Sequence, residues 1–180
     1  LNTYEDNLKI FKELQSKAKD YDVTLYLANE VKYSLDIFEY IKKGLVKPLS
    51  KQIYLIEFST DTSEYDIFEA VHNMVSKGYT PIIAHIERYQ SLDEIESVKQ
   101  LKKLGALVQV NVSALLGRYG GSIKRKIRKL IKNDLVDFVA TDSHRFHSDH
   151  FKKGYDFVHK KFSKDKAEHL FNNTMIIERT

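Results

Sequence analysis

Cysteine is absent from the 180-residue chain. That excludes disulfides and thiolate metal sites, and leaves His, Asp and Glu as the side chains able to hold a metal ion. Also missing is any apolar run approaching the roughly 20 residues of a membrane span. The first residues, Leu1–Asp6, are polar and acidic rather than basic and then apolar, so no secretory pattern opens the sequence and a cytoplasmic location is expected. No Gly-rich phosphate loop of either common type follows a strand-like run, which counts against the nucleotide-binding forms of an open doubly wound sheet. Linker-like stretches, internal repeats and low-complexity tracts are lacking too, and residues 1–180 read as a single domain. The excess of positive charge is small, +4. Much of it sits in Lys124–Lys132, where Ile127, Leu130 and Ile131, with Ile123 just before, fall at helical spacing and leave the cations on a solvated face. A landing surface for an acidic or phosphorylated partner is the functional alternative for that run. Nucleic-acid binding ranks last, because no stacking array of aromatics accompanies it.

What is present is a repeating alternation. Five strand-like runs, Val23–Glu30, Ile53–Glu57, Pro81–His85, Leu107–Asn111 and Val136–His144, are separated by segments with helical periodicity. The helices are expected at about 8–18, 34–43, 61–77, 91–104 and 122–133, with a C-terminal helical part over 151–171 broken near Ser163. Gly44, Gly78 and Gly105 stand where helix C-caps favour glycine. Apolar strands alternating with helices predict parallel βα units, and the fold class is α/β. A parallel barrel gathers the C-terminal ends of its strands on one rim. Here those ends carry Glu30, Glu57, His85, Asn111, and Asp142 with His144.

The residue types at these ends suggest a hydrolytic metal centre. In Thr141-Asp142-Ser143-His144, alternate residues of an extended segment would place Asp142 and His144 on one side, as two ligands or as a ligand beside a proton donor. A strand-end Asp can equally cap the next helix. His85 directly follows a buried-looking strand, and Arg88, three residues on, has the planar fork that grips phosphate; a surface ion pair with Glu87 or Glu94 is the plainer alternative. Glu30 and Glu57 each end an apolar run, where a carboxylate is costly unless paired or metal-bound. Lys32 and Lys51 are the nearby cations that could pair with them. Cations held by Glu, Asp and His would activate a water and orient a phosphate for in-line attack, with Arg88 neutralising its oxygens. His147 and His150 lie close enough to the Asp142 loop to stay open as contributors, whereas His72, His159 and His169 read as surface residues.

Tyr54-Leu55-Ile56-Glu57-Phe58-Ser59, Ala84-His85-Ile86-Glu87-Arg88-Tyr89 and Val139-Ala140-Thr141-Asp142-Ser143-His144, in this order and spacing, resemble the bacterial capsule and exopolysaccharide tyrosine-protein phosphatases of the PHP (polymerase and histidinol phosphatase) superfamily. The likeness runs through Ala28-Asn29-Glu30-Val31 and the 164–173 tail. It implies a distorted parallel (β/α) barrel of PHP/TIM-like type, two or three divalent ions with Mn²⁺ foremost, and dephosphorylation of a bacterial tyrosine kinase that regulates polysaccharide synthesis. By motif, Glu30, Glu57, His85, Asp142 and His144 would be metal ligands, and Arg88, Asp142 and His144 would carry the catalysis. Two features depart from the family. Its opening Asp-x-His-x-His strand, and the His after its second strand, have no counterpart here, so the expectation is a domain lacking its first one or two βα units, with an incomplete ligand set. The loop after His144 carries Arg145 where relatives have an Arg-Pro-Pro segment, and Arg145 is the candidate second phosphate-binding arginine. The alternatives are a phosphoesterase for a small phosphomonoester such as histidinol phosphate, and a catalytically incomplete regulatory module.

Overall fold

The computed structural model describes residues 4–143, 150–172 and 174–177. Strand and helix alternate along them: α1 (Tyr4–Lys17), β1 (Glu30–Lys32), α2 (Ile37–Lys42), β2 (Ile53–Glu57), α3 (Glu64–Ser76), β3 (Thr80–Ile83), α4 (Ile95–Leu104), β4 (Leu107–Asn111), α5 (Val112–Leu115), α6 (Gly121–Lys132), β5 (Phe138–Ala140), α7 (His150–Lys161), α8 (Lys164–Phe171) and α9 (Thr174–Ile177). The strands form one sheet in the order β1-β2-β3-β4-β5, each parallel to its neighbour. Right-handed crossovers between successive neighbours wind in one direction and deposit their helices on one face. A doubly wound sheet needs a reversal of strand order, and the described strands have none.

Side chains alternate across each strand, so the two faces of the sheet have different fates. On the helix-covered face Tyr54, Ile56, Ile83, Val108, Val110 and Val139 join the main core with Ile67, Leu101, Ile127 and Leu130 from the helices. On the other face Ile53, Ile82 and Phe138 form a smaller cluster with Leu49, Leu55, Leu107 and Ile176. Glu57 lies two residues after Leu55, and Gln109 and Asn111 two and four after Leu107, so all three share this second face. The register adds Glu30, which stands opposite Leu55. Along β2 and β4 the apolar residues of this face come first and the polar ones follow toward the C-terminal end, while Glu30 stands level with Leu55 and Gln109 with Phe138.

Local chemistry sets the helix boundaries. Ser63 and Ser163 cap α3 and α8, each side chain accepting a backbone N–H three residues on, at 3.1 Å. The cap at Ser163 is the break expected in the C-terminal helical part. Gly105 closes α4 with φ +108°, and a Cβ there would meet Val75 at 3.4 Å.

Three strands differ from expectation, β3 by running Thr80–Ile83 and stopping two residues short of His85. Residues 23–29 carry no strand pairing, and β1 begins at Glu30 instead of ending there. Asn29 explains part of this: its N–H donates to the Lys47 carbonyl at 3.1 Å, and its Oδ1 accepts the Lys47 N–H at 2.9 Å. Its polar groups are therefore spent on a loop, while Val23 and Tyr26 stay exposed. At the other end, β5 stops at Ala140 because Asp142 turns into the left-handed region at φ 47°. His144, Arg145 and His147 lie outside the described residues.

Candidate metal centre

Three ligand-type side chains meet at the rim. Glu30 at the start of β1, Glu57 at the end of β2 and His85 just beyond β3 bring one donor atom each within 4.8 Å of one another. His85 Nε2 lies 3.1 Å from Glu30 Oε1 and 3.6 Å from Glu57 Oε2. Metal–ligand bonds of roughly 2.0–2.2 Å put neighbouring donors about 3–4 Å apart, so this spacing fits a shared divalent ion. Two carboxylates and an imidazole, without sulfur, suit a hard to borderline cation.

His85 is held from behind. Its Nδ1 lies 3.3 Å from the hydroxyl of Tyr89, which accepts the Phe58 N–H at 3.0 Å. With Nε2 facing the carboxylates, a proton on Nδ1 can be donated to that hydroxyl, the usual arrangement behind a ligating imidazole. Burial pushes the Tyr89 phenol up to about 12, so it stays protonated. The backbone of His85 is left-handed (φ 34°, ψ 53°) and starts the 3₁₀ turn Ile86–Arg88. That turn brings Arg88 back over the rim.

Arg88 makes neither of the ion pairs expected for a surface residue. Its Nη2 donates to Asp142 Oδ2 at 2.6 Å, joining two sequence-predicted residues 54 positions apart. The same oxygen accepts from Asn111 Nδ2 at 2.8 Å. The centre therefore has two halves, a carboxylate–imidazole triad and an Arg88–Asp142 pair. Glu30 and His85 from the first half and Asp142 from the second line a groove of about 800 Å³ whose other walls include Leu55, Ile82 and Phe138. Asp142 belongs to the second half and is not part of the triad. His150 opens α7, and His72, His159 and His169 are exposed on helices.

Three contributors escaped the sequence reading of the site. Gln109 accepts the His85 N–H through Oε1 at 2.7 Å and donates from Nε2 to Asn111 Oδ1 at 2.8 Å. Tyr89 is the hydroxyl behind His85. Glu87 is buried between the two halves, where Oε1 accepts the Asn111 N–H at 3.1 Å and Oε2 has no partner among the described residues. Burial pushes its carboxyl above the ordinary range, against the opposing pull of the Asn111 N–H and the nearby Arg88. The available signal was the pair of carboxamides, two residues apart in the otherwise apolar strand Leu107–Asn111.

The family described as "Capsular polysaccharide synthesis, CpsB/CapC" matches residues 1–178. The tyrosine-protein phosphatase CpsB of Streptococcus pneumoniae is 34% identical over 175 residues, which span 92% of this chain and 72% of that protein. The putative tyrosine-protein phosphatase CapC of Staphylococcus aureus is 32% identical over 131 residues, 72% of this chain and 51% of its own. Tyrosine-protein phosphatase YwqE of Bacillus subtilis is 28% identical over 141 residues, 77% of this chain and 56% of its own. Among solved structures, the crystallographic work on YwqE from B. subtilis and CpsB from S. pneumoniae, described as unique metal-dependent tyrosine phosphatases, supplies a chain with a TM-score of 0.80. That superposition covers 98% of this chain and 72% of the other at 23% identity, and speaks to the fold. This chain belongs to the CpsB/CapC family of capsular polysaccharide synthesis proteins.

Proposed function

We propose that this protein is a metal-dependent protein-tyrosine phosphatase, and that its substrate is a phosphorylated bacterial tyrosine kinase governing capsular or exopolysaccharide synthesis. One observation carries the reading: Glu30 at the start of β1, Glu57 at the end of β2 and His85 just beyond β3 converge within 4.8 Å, with Arg88 three residues along the chain from His85. The names of the CpsB, CapC and YwqE relatives point the same way. Glu30, Glu57 and His85 would hold the first ion, with Asp142 and His144 adding ligands, and Mn²⁺ is the proposed metal in a site of two or three ions. The sheet is taken as an arc of a PHP-type (β/α) barrel in a single domain. The reaction is placed in the cytoplasm, where ATP-dependent kinases make phosphotyrosine.

A divalent ion bound there supplies Lewis-acid polarisation of the phosphoryl group and a more acidic coordinated water. The chain's own groups do the rest. Arg88 has five N–H donors in a fixed fork, so it can keep one bond to Asp142 and still grip phosphate oxygens. Its side chain is 39% exposed, whereas that of its partner Asp142 is 12% exposed. Whichever of Asp142 and His144 does not ligate the ion can serve as the proton donor beside it. Cysteine-free, the protein has no thiolate route to phosphotyrosine. The groove walls Leu55 and Phe138 offer an apolar surface to the substrate ring.

The test is hydrolysis of a phosphotyrosine peptide by the intact protein. Activity is expected with added Mn²⁺ and lost in chelator, and Arg88→Ala should lower kcat/KM about 100-fold at a nearly unchanged melting temperature. Inertness toward phosphotyrosine with every divalent ion tried would end the proposal.

A further inference from the structure

We infer that Gln109 and Asn111 form a directional amide ladder that positions both halves of the centre, His85 on one side and Asp142 with Arg88 on the other. This rests on the phosphatase reading above. The ladder runs from the His85 N–H to Gln109 Oε1 (2.7 Å), from Gln109 Nε2 to Asn111 Oδ1 (2.8 Å), and from Asn111 Nδ2 to Asp142 Oδ2 (2.8 Å). Arg88 Nη2 completes it on the same carboxylate oxygen at 2.6 Å. Its polarity is forced by its ends. A backbone N–H can only donate and an ionised carboxylate can only accept, so each amide must turn its oxygen toward His85 and its nitrogen toward Asp142. Spacing two apart on β4 puts both amides on the groove face, and Gln109 and Asn111 are 5% and 1% exposed. Two buried carboxamides with their bonds unmade would be costly. Here each is used in both senses.

Backbone conformation gives an independent observation. Three described non-glycine residues have positive φ: His85 at 34°, Asp134 at 57° and Asp142 at 47°. Asp134 follows the end of α6, where left-handed residues are common. The other two are the chemistry-bearing residues at the two ends of the ladder. Such conformations persist where the surroundings over-determine them. Gln109 grips the backbone of one strained residue, and Asn111 the side chain of the other. Neither amide belongs to the carboxylate–imidazole triad or to the phosphate-binding arginine; both are positioning residues that set the distance between the triad and the arginine.

The test uses the intact protein, with Mn²⁺ and inorganic phosphate as binding probes and a phosphotyrosine peptide as substrate. Gln109→Met, which keeps the volume and removes both bonds, should weaken Mn²⁺ binding about tenfold, as loss of support behind a ligand does. Asn111→Leu should raise KM and weaken phosphate binding several-fold, with a smaller effect on Mn²⁺. If the two act as one chain, Gln109→Met raises KM with Asn111 present but adds nothing to KM once Asn111 is Leu. Folded single variants with wild-type Mn²⁺ affinity and KM, or KM effects that simply multiply in the double variant, would overturn the ladder. Should the Met or Leu variants fail to fold, Gln109→Ala and Asn111→Ala carry the same comparison, with the same outcomes deciding it. A wild-type protein that neither bound Mn²⁺ nor cleaved phosphotyrosine would instead overturn the phosphatase reading, and the ladder with it.

Discussion

The hydroxyl of Tyr89, fully buried, is the acceptor for one backbone N–H and the neighbour of one imidazole nitrogen. Removing it separates packing from hydrogen bonding, because the ring itself sits edge-on to Phe58 with centroids 5.9 Å apart. Tyr89→Phe leaves the Phe58 N–H buried without a partner and should cost about 1–3 kcal/mol in urea unfolding. It should also weaken Mn²⁺ binding about tenfold, since the proton on His85 Nδ1 loses its acceptor. Unchanged values for both would mean that the ring acts by packing alone. Glu87 offers a pH test in the metal-free protein. Its folded-state pKa is raised, chiefly by burial, so the native state holds this proton more tightly than the unfolded chain does. The stability that this difference contributes is fully present below the ordinary carboxylate range, near 4, and is lost as pH rises through the raised value. Glu87→Gln removes that titration. Its unfolding free energy should fall less between acid and neutral pH than that of the wild type, measured by denaturant titration at each pH.

At the scale of elements, sterics and propensity pull in opposite directions at Gly154 in the middle of α7. Glycine inside a helix is ordinarily improved by alanine, by up to about 1 kcal/mol. Here a Cβ would fall 2.3 Å from Val112 Cγ2 on α5 and 3.1 Å from the Phe171 ring on α8. Phe151 and Tyr155 pack on that same ring, with centroids 4.9 and 5.8 Å from it, so the ring has little room to retreat. Gly154→Ala should therefore destabilise by about 1–3 kcal/mol, and a stabilised variant would show that α7 can shift away from α5. The same balance of local and distant forces decided which elements could be read from sequence. Strands β2 and β4 were legible to the residue, because a short apolar run bounded by turns has one sensible pairing depth. Residues 23–29 have strand composition yet no strand, because composition cannot say that Asn29 bonds to Lys47, 18 positions away. Glu57 was legible as a rim residue for the same reason that its strand was, whereas Glu30 opens its strand and His85 lies two residues beyond the end of β3. Gln109 and Tyr89 were not, because their meaning lies in contacts 24 and 31 residues distant.

For the whole molecule, the centre exists only when β1, β2 and β3 are aligned, so its ligand set is a property of the folded chain and metal binding is linked to global stability. A ligand bound by the native state alone stabilises it by about 2.7 kcal/mol at a hundredfold excess over its dissociation constant. Mn²⁺ should accordingly raise the midpoint of thermal unfolding of the wild type in a concentration-dependent way. Glu57→Gln, Glu30→Gln and His85→Ala should each lose most of that rise. Without metal the two glutamine variants should match the wild type within about 1 kcal/mol, because the Glu30 and Glu57 side chains are 34% and 37% exposed and their charges are screened by solvent. The two halves of the result discriminate between readings. An equal Mn²⁺ response in wild type and variants would place the ion elsewhere on the protein. A large loss of metal-free stability in the glutamine variants would make Glu30 and Glu57 structural partners of His85 instead of ligands. Loss of the metal response at near-constant metal-free stability is the signature of three side chains assembled by the sheet to hold a cation.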